Sequence, residues 1–344
     1  MMHAFHNSPS EAPSRLRMVA AFLAVYVFWG ATFLFIKFGI ETIPPWIMAG
    51  TRHILAGLIV YLWVRAHGAG RPDWRQWAAA GVTGALLLAG GNGAVSWATL
   101  RVPSGLAALV LGLTPIWMAL LDWYRPNGVK PTRRIVLVLV MGLAGVILLV
   151  GPARFAGSDR IDPLGAAVLL LATLCWATGS IYSRHMPLPA SLMQTIGMQS
   201  IAGGLACWLI GLAAGEWARL EVAAISPKSA VSFGYLVVFG SIVGFSCYIW
   251  LLRVTKAAYV STYAYVNPMV AVFLGWAFGG EEITLRTLLA AALILGAVVL
   301  LISERVRREP RGQPGGAAQA GALPALQPKA SGQAGGPVRE PSAD

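Results

Sequence analysis

The chain has 344 residues, 57% of them hydrophobic and only 12% charged, with a formal net charge of +12. A soluble globular domain carries about 25% charged residues, so a water-soluble core is excluded and a polytopic membrane protein is indicated. The basic residues lie between apolar runs rather than in one patch, which fits positively charged loops on one side of a bilayer and no nucleic-acid partner.

In chain order, residues 1–17 read as a polar cytoplasmic leader with no cleavable signal, because the first apolar run is long enough to stay as an anchor. Membrane spans are expected at 18–38, 46–65, 76–97, 102–121 and 135–150. Five more follow at 162–182, 192–213, 230–252, 257–278 and 287–303. Each is near the roughly 20 residues that carry a helix across about 30 Å of hydrocarbon. Residues 304–344, rich in Gly, Pro, Ala and Gln, are expected to form a disordered cytoplasmic tail. Alternate connections differ in charge: the leader side carries 15 Lys and Arg and the other side 7. The richer side is cytoplasmic by the positive-inside rule, so both termini are expected inside. Cys175, Cys207 and Cys247 all fall in apolar segments and read as small buried hydrophobes, with neither a disulfide nor a metal site expected.

Two internal echoes set the architecture. Phe28-Trp29-Gly30-Ala31-Thr32 recurs as Cys175-Trp176-Ala177-Thr178-Gly179, and Val102–Pro115 recurs as Thr255–Pro268. Each copy holds five spans, residues 18–151 and 162–303. Five is odd, so the second copy enters the membrane upside down. The expected fold is an all-α membrane protein of ten transmembrane helices in two inverted five-helix repeats, with a substrate site near the midplane between them. Pro115 and Pro268 occupy corresponding positions, preceded by Thr114 and Asn267. A mid-span proline frees a carbonyl one turn back, so both helices are expected to break there.

These residues carry a resemblance. W-G-A-T at Trp29–Thr32, G-G-N-G at Gly90–Gly93 and V-P-S-G-L-A-A-L at Val102–Leu109 are similar to the drug/metabolite transporter superfamily. So are G-S-I-V-G at Gly240–Gly244, S-T-Y-A-Y-V-N-P at Ser261–Pro268 and G-G-E at Gly279–Glu281. The likeness is to the ten-span group with two EamA repeats and its YedA-like branch of inner-membrane permeases. It implies a central cavity, access alternating between sides, and export of small metabolites or drugs from a bacterial cell. The second half departs from W-G-A-T at Trp176–Gly179, so the two walls of the cavity should differ.

Seven residues are candidates for substrate binding. Arg52 lies inside the second span, where a charge costs at least about 2.5 kcal/mol and needs protein or water around it. It fits an anionic substrate group, or a structural role in which it snorkels outward or pairs with Glu41 or a kink carbonyl. Asn92, among glycines, fits either the cavity or a neighbouring helix. Asn267 and Thr114 flank the expected breaks. Tyr259, Tyr263 and Asn267 recur one turn apart and so share a face, which fits a stacking surface or plain helix packing; Trp29 is open to the same two readings. Gly240 with Gly244, and Gly275 with Gly279, have the spacing of close-packed helices.

No nucleotide-binding loop and no catalytic cluster such as H-E-x-x-H is present, so an enzyme is not expected. The expected partners are a small-molecule substrate and the lipid bilayer, with no cofactor, in a monomer or homodimer. Amino-acid-like or amphiphilic compounds suit the site. No carboxylate lies at mid-span, so a facilitator or exchanger of another metabolite class fits as well as a proton antiporter. A sensor or scaffold has no need of paired broken helices.

Overall fold

The computed structural model describes residues 14–124, 133–150, 162–183, 185–189, 191–255, 260 and 262–308. Within them the chain is helical and forms ten apolar elements that we number α1 to α10. The first three are α1 (Arg15–Gly39), α2 (Pro45–Ala66) and α3 (Trp74–Ala98). Next, α4 is split into Ser104–Leu111 and Thr114–Trp123, and is followed by α5 (Arg133–Val150), α6 (Pro163–Ser183) and α7 (Leu192–Ala213). Finally, α8 is built from Pro227–Tyr235, Leu236–Val243 and Gly244–Val254, ahead of α9 (Tyr263–Gly279) and α10 (Leu285–Arg308). Six of the ten are long and apolar enough to cross a membrane, and four are shorter apolar helices.

Local chemistry sets the helix ends. Ser14 caps α1 by accepting from Arg17 N at 3.3 Å. Asp73 and Gln76 form a reciprocal capping box at α3, with bonds of 2.7 and 3.1 Å. Helix α9 stops at Gly280, whose φ of 65° is the left-handed conformation that glycine takes without penalty. At its other end α10 continues to Arg308, past the expected end of the last span at 303.

Helix pairing follows the inverted repeat. Helix α1 packs on α8 and α9, and α6 packs on α3 and α4. Helix α2 lies along α7, and α5 along α10. Exchanging the two halves turns each of these pairings into another or into itself, as a two-fold relation requires. The α2–α7 seam is glycine-made: a Cβ on Gly50 would stand 2.8 Å from Gly204 O, and one on Gly204 2.7 Å from Gly50 O. The backbones therefore meet as small-residue interfaces do in lipid. The largest apolar cluster joins α4, α6 and α10 through Leu109, Leu169 and Ile294. Large apolar side chains such as Leu16, Leu209 and Phe278 remain exposed on the outside of the bundle, as lipid-facing residues are.

Two departures from the sequence expectation matter. Symmetry-related α3 and α8 are each interrupted by a π-helical segment, Ala85–Gly93 and Leu236–Val243, that hydropathy does not reveal. The break expected at Asn267–Pro268 is absent from α9. In α4 the interruption falls at Gly112–Leu113, just before Thr114-Pro115, but α9 runs unbroken from Tyr263 through Pro268. Pro268 sits in the second turn of α9 and forfeits one backbone bond, to Ala264 O, which a helix anchored on both sides tolerates. Ala264 O faces Gly112, whose Cβ would lie 3.7 Å away, so the freed carbonyl of one half meets the break of the other.

Candidate substrate-binding site

The residues that converge between the halves do so on the π segment of α8. Trp29 Nε1 donates to Gly240 O at 3.0 Å, and Arg52 Nε donates to Ser241 Oγ at 3.0 Å. A Cβ on Gly244 would collide with the Trp29 ring, so glycine there lets the indole reach the α8 backbone. Around Trp29 stand Phe245, Tyr248 and Tyr263, with ring centroids 5.4, 5.2 and 5.3 Å away. Tyr248 and Tyr263 meet edge-on at 5.7 Å. This is an aromatic cluster drawn from α1, α8 and α9, with a guanidinium from α2 on the neighbouring α8 residue.

Arg52 is only 5% exposed. Among the described residues no carboxylate pairs with it; Glu41 instead binds Lys228 at 2.6 Å. Asn267 is 7% exposed and its Oδ1 is buried without a hydrogen-bond partner. Its backbone carbonyl lies 3.2 Å from where a Cβ of Gly30 would stand, which places it beside the residue after Trp29. A buried orphan acceptor and a buried cation without a counter-ion are both costly unless a ligand or water completes them.

The other candidates sit apart. Asn92 is half-buried on the π segment of α3; its carbonyl accepts from Ser96 Oγ, and its side chain makes no hydrogen bond among the described residues. Thr114 donates its hydroxyl to Leu111 O at 2.7 Å, the carbonyl that Pro115, lacking an N–H, leaves unpaired. Among the described residues, the ring contacts of Trp29 reach neither Asn92 nor Thr114. Tyr259 lies outside the described residues. Sequence reasoning missed Ser241, Phe245 and Tyr248. The G-S-I-V-G run, standing where the first half has G-G-N-G, was the available signal for Ser241.

Toward the leader end, a cavity of about 480 Å³ opens between α1 and the α8–α9 connection. Arg15, Met18, Phe22, Tyr26, Thr255 and Thr262 line it. Its volume lies in the range of about 300–1,000 Å³ typical of small-molecule pockets. Tyr26 Oη and Thr262 Oγ1 meet at 2.5 Å, and Thr262 directly precedes Tyr263 of the aromatic cluster.

A two-fold bundle of ten apolar helices with polar groups between its halves is the architecture of a polytopic membrane protein. The model of the EamA-like transporter family matches residues 16–151 and again 163–303, and the chain belongs to that family. It is 36% identical over 289 residues to an uncharacterized inner membrane transporter, YedA, of Escherichia coli K12, covering 83% of this chain and 90% of that one. It is 26% identical to a probable amino-acid metabolite efflux pump of Salmonella typhimurium, covering 84% and 96% of the two chains. A solved crystal structure superposes with a TM-score of 0.58 at 19% identity, over 86% of this chain and 100% of that one, and shares the fold. The protein is a multi-pass inner-membrane transporter.

Proposed function

We propose that the protein exports small amino-acid-like or amphiphilic metabolites by alternating access, from a site built on Arg52, Trp29, Tyr263 and Asn267, with Asn92 on α3 as a further candidate. Both termini lie in the cytoplasm, as the 15-to-7 bias of Lys and Arg supports. The observation that carries the reading is Arg52, a buried guanidinium whose one hydrogen bond goes to Ser241 and which has no counter-ion in the described structure. A substrate carboxylate supplies that charge, and the Trp29 cluster receives an apolar or cationic remainder. The name of the Salmonella relative points the same way.

The test is flux of labelled amino acids and amphiphilic amines in vesicles holding the purified protein. Arg52→Ala and Asn267→Ala are each expected to lower flux at least about tenfold, a loss of about 1.4 kcal/mol of differential binding, with insertion and yield unchanged. Normal transport by both variants would remove the site from these residues.

A further inference from the structure

One face of the bundle is tied shut by a nearly buried charged network. We call the face carrying the leader the leader face and the other the distal face. At the distal face, Glu281, just beyond α9, reaches into the other half. Its Oε1 accepts from Ser104 N and Ser104 Oγ, both at 2.7 Å, and its Oε2 accepts from Gly105 N at 3.0 Å. These amides open α4, whose N-cap Pro103 offers no side-chain cap, so Glu281 serves as the cap from 177 residues away. Lys37 at the end of α1 closes the arrangement, donating to Gly279 O at 2.6 Å and to Glu281 Oε1 at 3.1 Å. A Cβ on Gly275 would collide with the carboxylate, and one on Gly105 would sit 3.3 Å from Oε2. The Glu281 side chain is 9% exposed.

The other two ion pairs among the described residues, Arg101–Asp162 and Lys228–Glu41, also sit on the distal face and also join the two halves. Both are exposed and hold little by themselves. Glu281 differs in being nearly buried, paired with a cation and bonded to a helix N-terminus. The leader face carries no copy of this set at the corresponding sequence positions. The 153-residue register places Ala257 and Ala258 on Ser104 and Gly105, and Gly128 on Glu281.

We propose that Glu281, held by Lys37, Ser104 and Gly105, is the gate of the distal face, and that these contacts make the distal-closed conformation the resting state. The proposal rests on the alternating-access reading above. A rocking of one half against the other that opens the distal face must pull Glu281 off α4 and Lys37 off Gly279.

The experiment measures opening without substrate. Cys175, Cys207 and Cys247 are replaced by Ser, and spin labels are placed at exposed Leu100 and Leu285, one in each half at the distal face. In lipid nanodiscs the unmodified gate should give one short inter-label distance. Glu281→Gln should add a longer population as the major species, and Ser104→Ala and Lys37→Met smaller ones. In parallel, an impermeant maleimide applied from the distal side should label Asn92→Cys at least about tenfold faster with Glu281→Gln. Should Glu281→Gln not fold, Ser104→Ala and Lys37→Met carry the test. Folded variants whose distances and labelling rates match the parent would overturn the proposal. A parent that moves no substrate, with variants that still open, would remove the transport reading and leave the gate standing.

Discussion

Arg52 and Glu281 are both nearly buried charges, yet their surroundings assign them opposite tasks: Glu281 is fully partnered and Arg52 is not. Burial raises the Glu281 carboxyl, but the hydrogen bonds from Gly105 and Ser104 and the charge of Lys37 outweigh it and hold it below the ordinary carboxylate range. A depressed carboxylate stabilises the fold above its unfolded pKa of about 4.3, and that contribution fades as pH falls through the lower folded value. The difference in thermal unfolding temperature between the parent and Glu281→Gln should therefore be largest near pH 7 and shrink on acidification below about pH 4. Glu216 behaves inversely: burial pushes its carboxyl up, against the bonds from Ile47 and Trp46 and the charge of Arg219. At Thr114 the hydroxyl serves a proline-freed carbonyl. Thr114→Val should lower stability by about 1–2 kcal/mol, with Thr114→Ser close to the parent, read from unfolding in detergent. Arg52 was legible in the sequence because a charge within a span is rare. Ser241 and Tyr248 were not, being unexceptional residues in an apolar run.

At the scale of helices, hydropathy and length located ten apolar elements, because crossing hydrocarbon constrains composition directly. They did not locate the π segments, since hydropathy counts residues and not the carbonyl to which each amide donates. The break expected in α9 does not form, because a proline in the second turn of a helix costs one backbone bond without ending the helix. The π segment of α8 presents Gly240 O to Trp29 and Ser241 Oγ to Arg52 at the same level. Removing one residue there, exposed Val238, returns the segment to α-helical winding, so that Gly240 O and Ser241 Oγ no longer stand where Trp29 and Arg52 reach them. Deletion of Val238 is expected to abolish flux while circular dichroism and yield stay near the parent. In the α2–α7 seam, where backbone meets backbone, Gly204→Leu should lower the unfolding temperature by several degrees or prevent assembly.

For the whole molecule, the two-fold pairing of helices was foreseeable from the two echoes in the chain, because equal sequences at a fixed offset imply equal structures. What breaks the symmetry was not, because it depends on contacts between residues 170 or more positions apart. The sidedness inferred from Lys and Arg gives a direct expectation: an impermeant thiol reagent outside cells should modify Glu221→Cys and spare Ala66→Cys. Reversed labelling would turn the molecule over, and both positions reacting from one side would contradict an odd number of crossings between them. Helices α2 and α4 both begin after prolines, Pro44 and Pro103, and both borrow their caps from the second half, α2 from Glu216 and α4 from Glu281. During synthesis the first five helices must therefore wait, with bare amides at two of their ends, until residue 281 has left the ribosome. A nascent chain arrested before that point carries an unfinished half in the bilayer, and its lifetime against membrane proteases is set by how soon the missing carboxylates arrive.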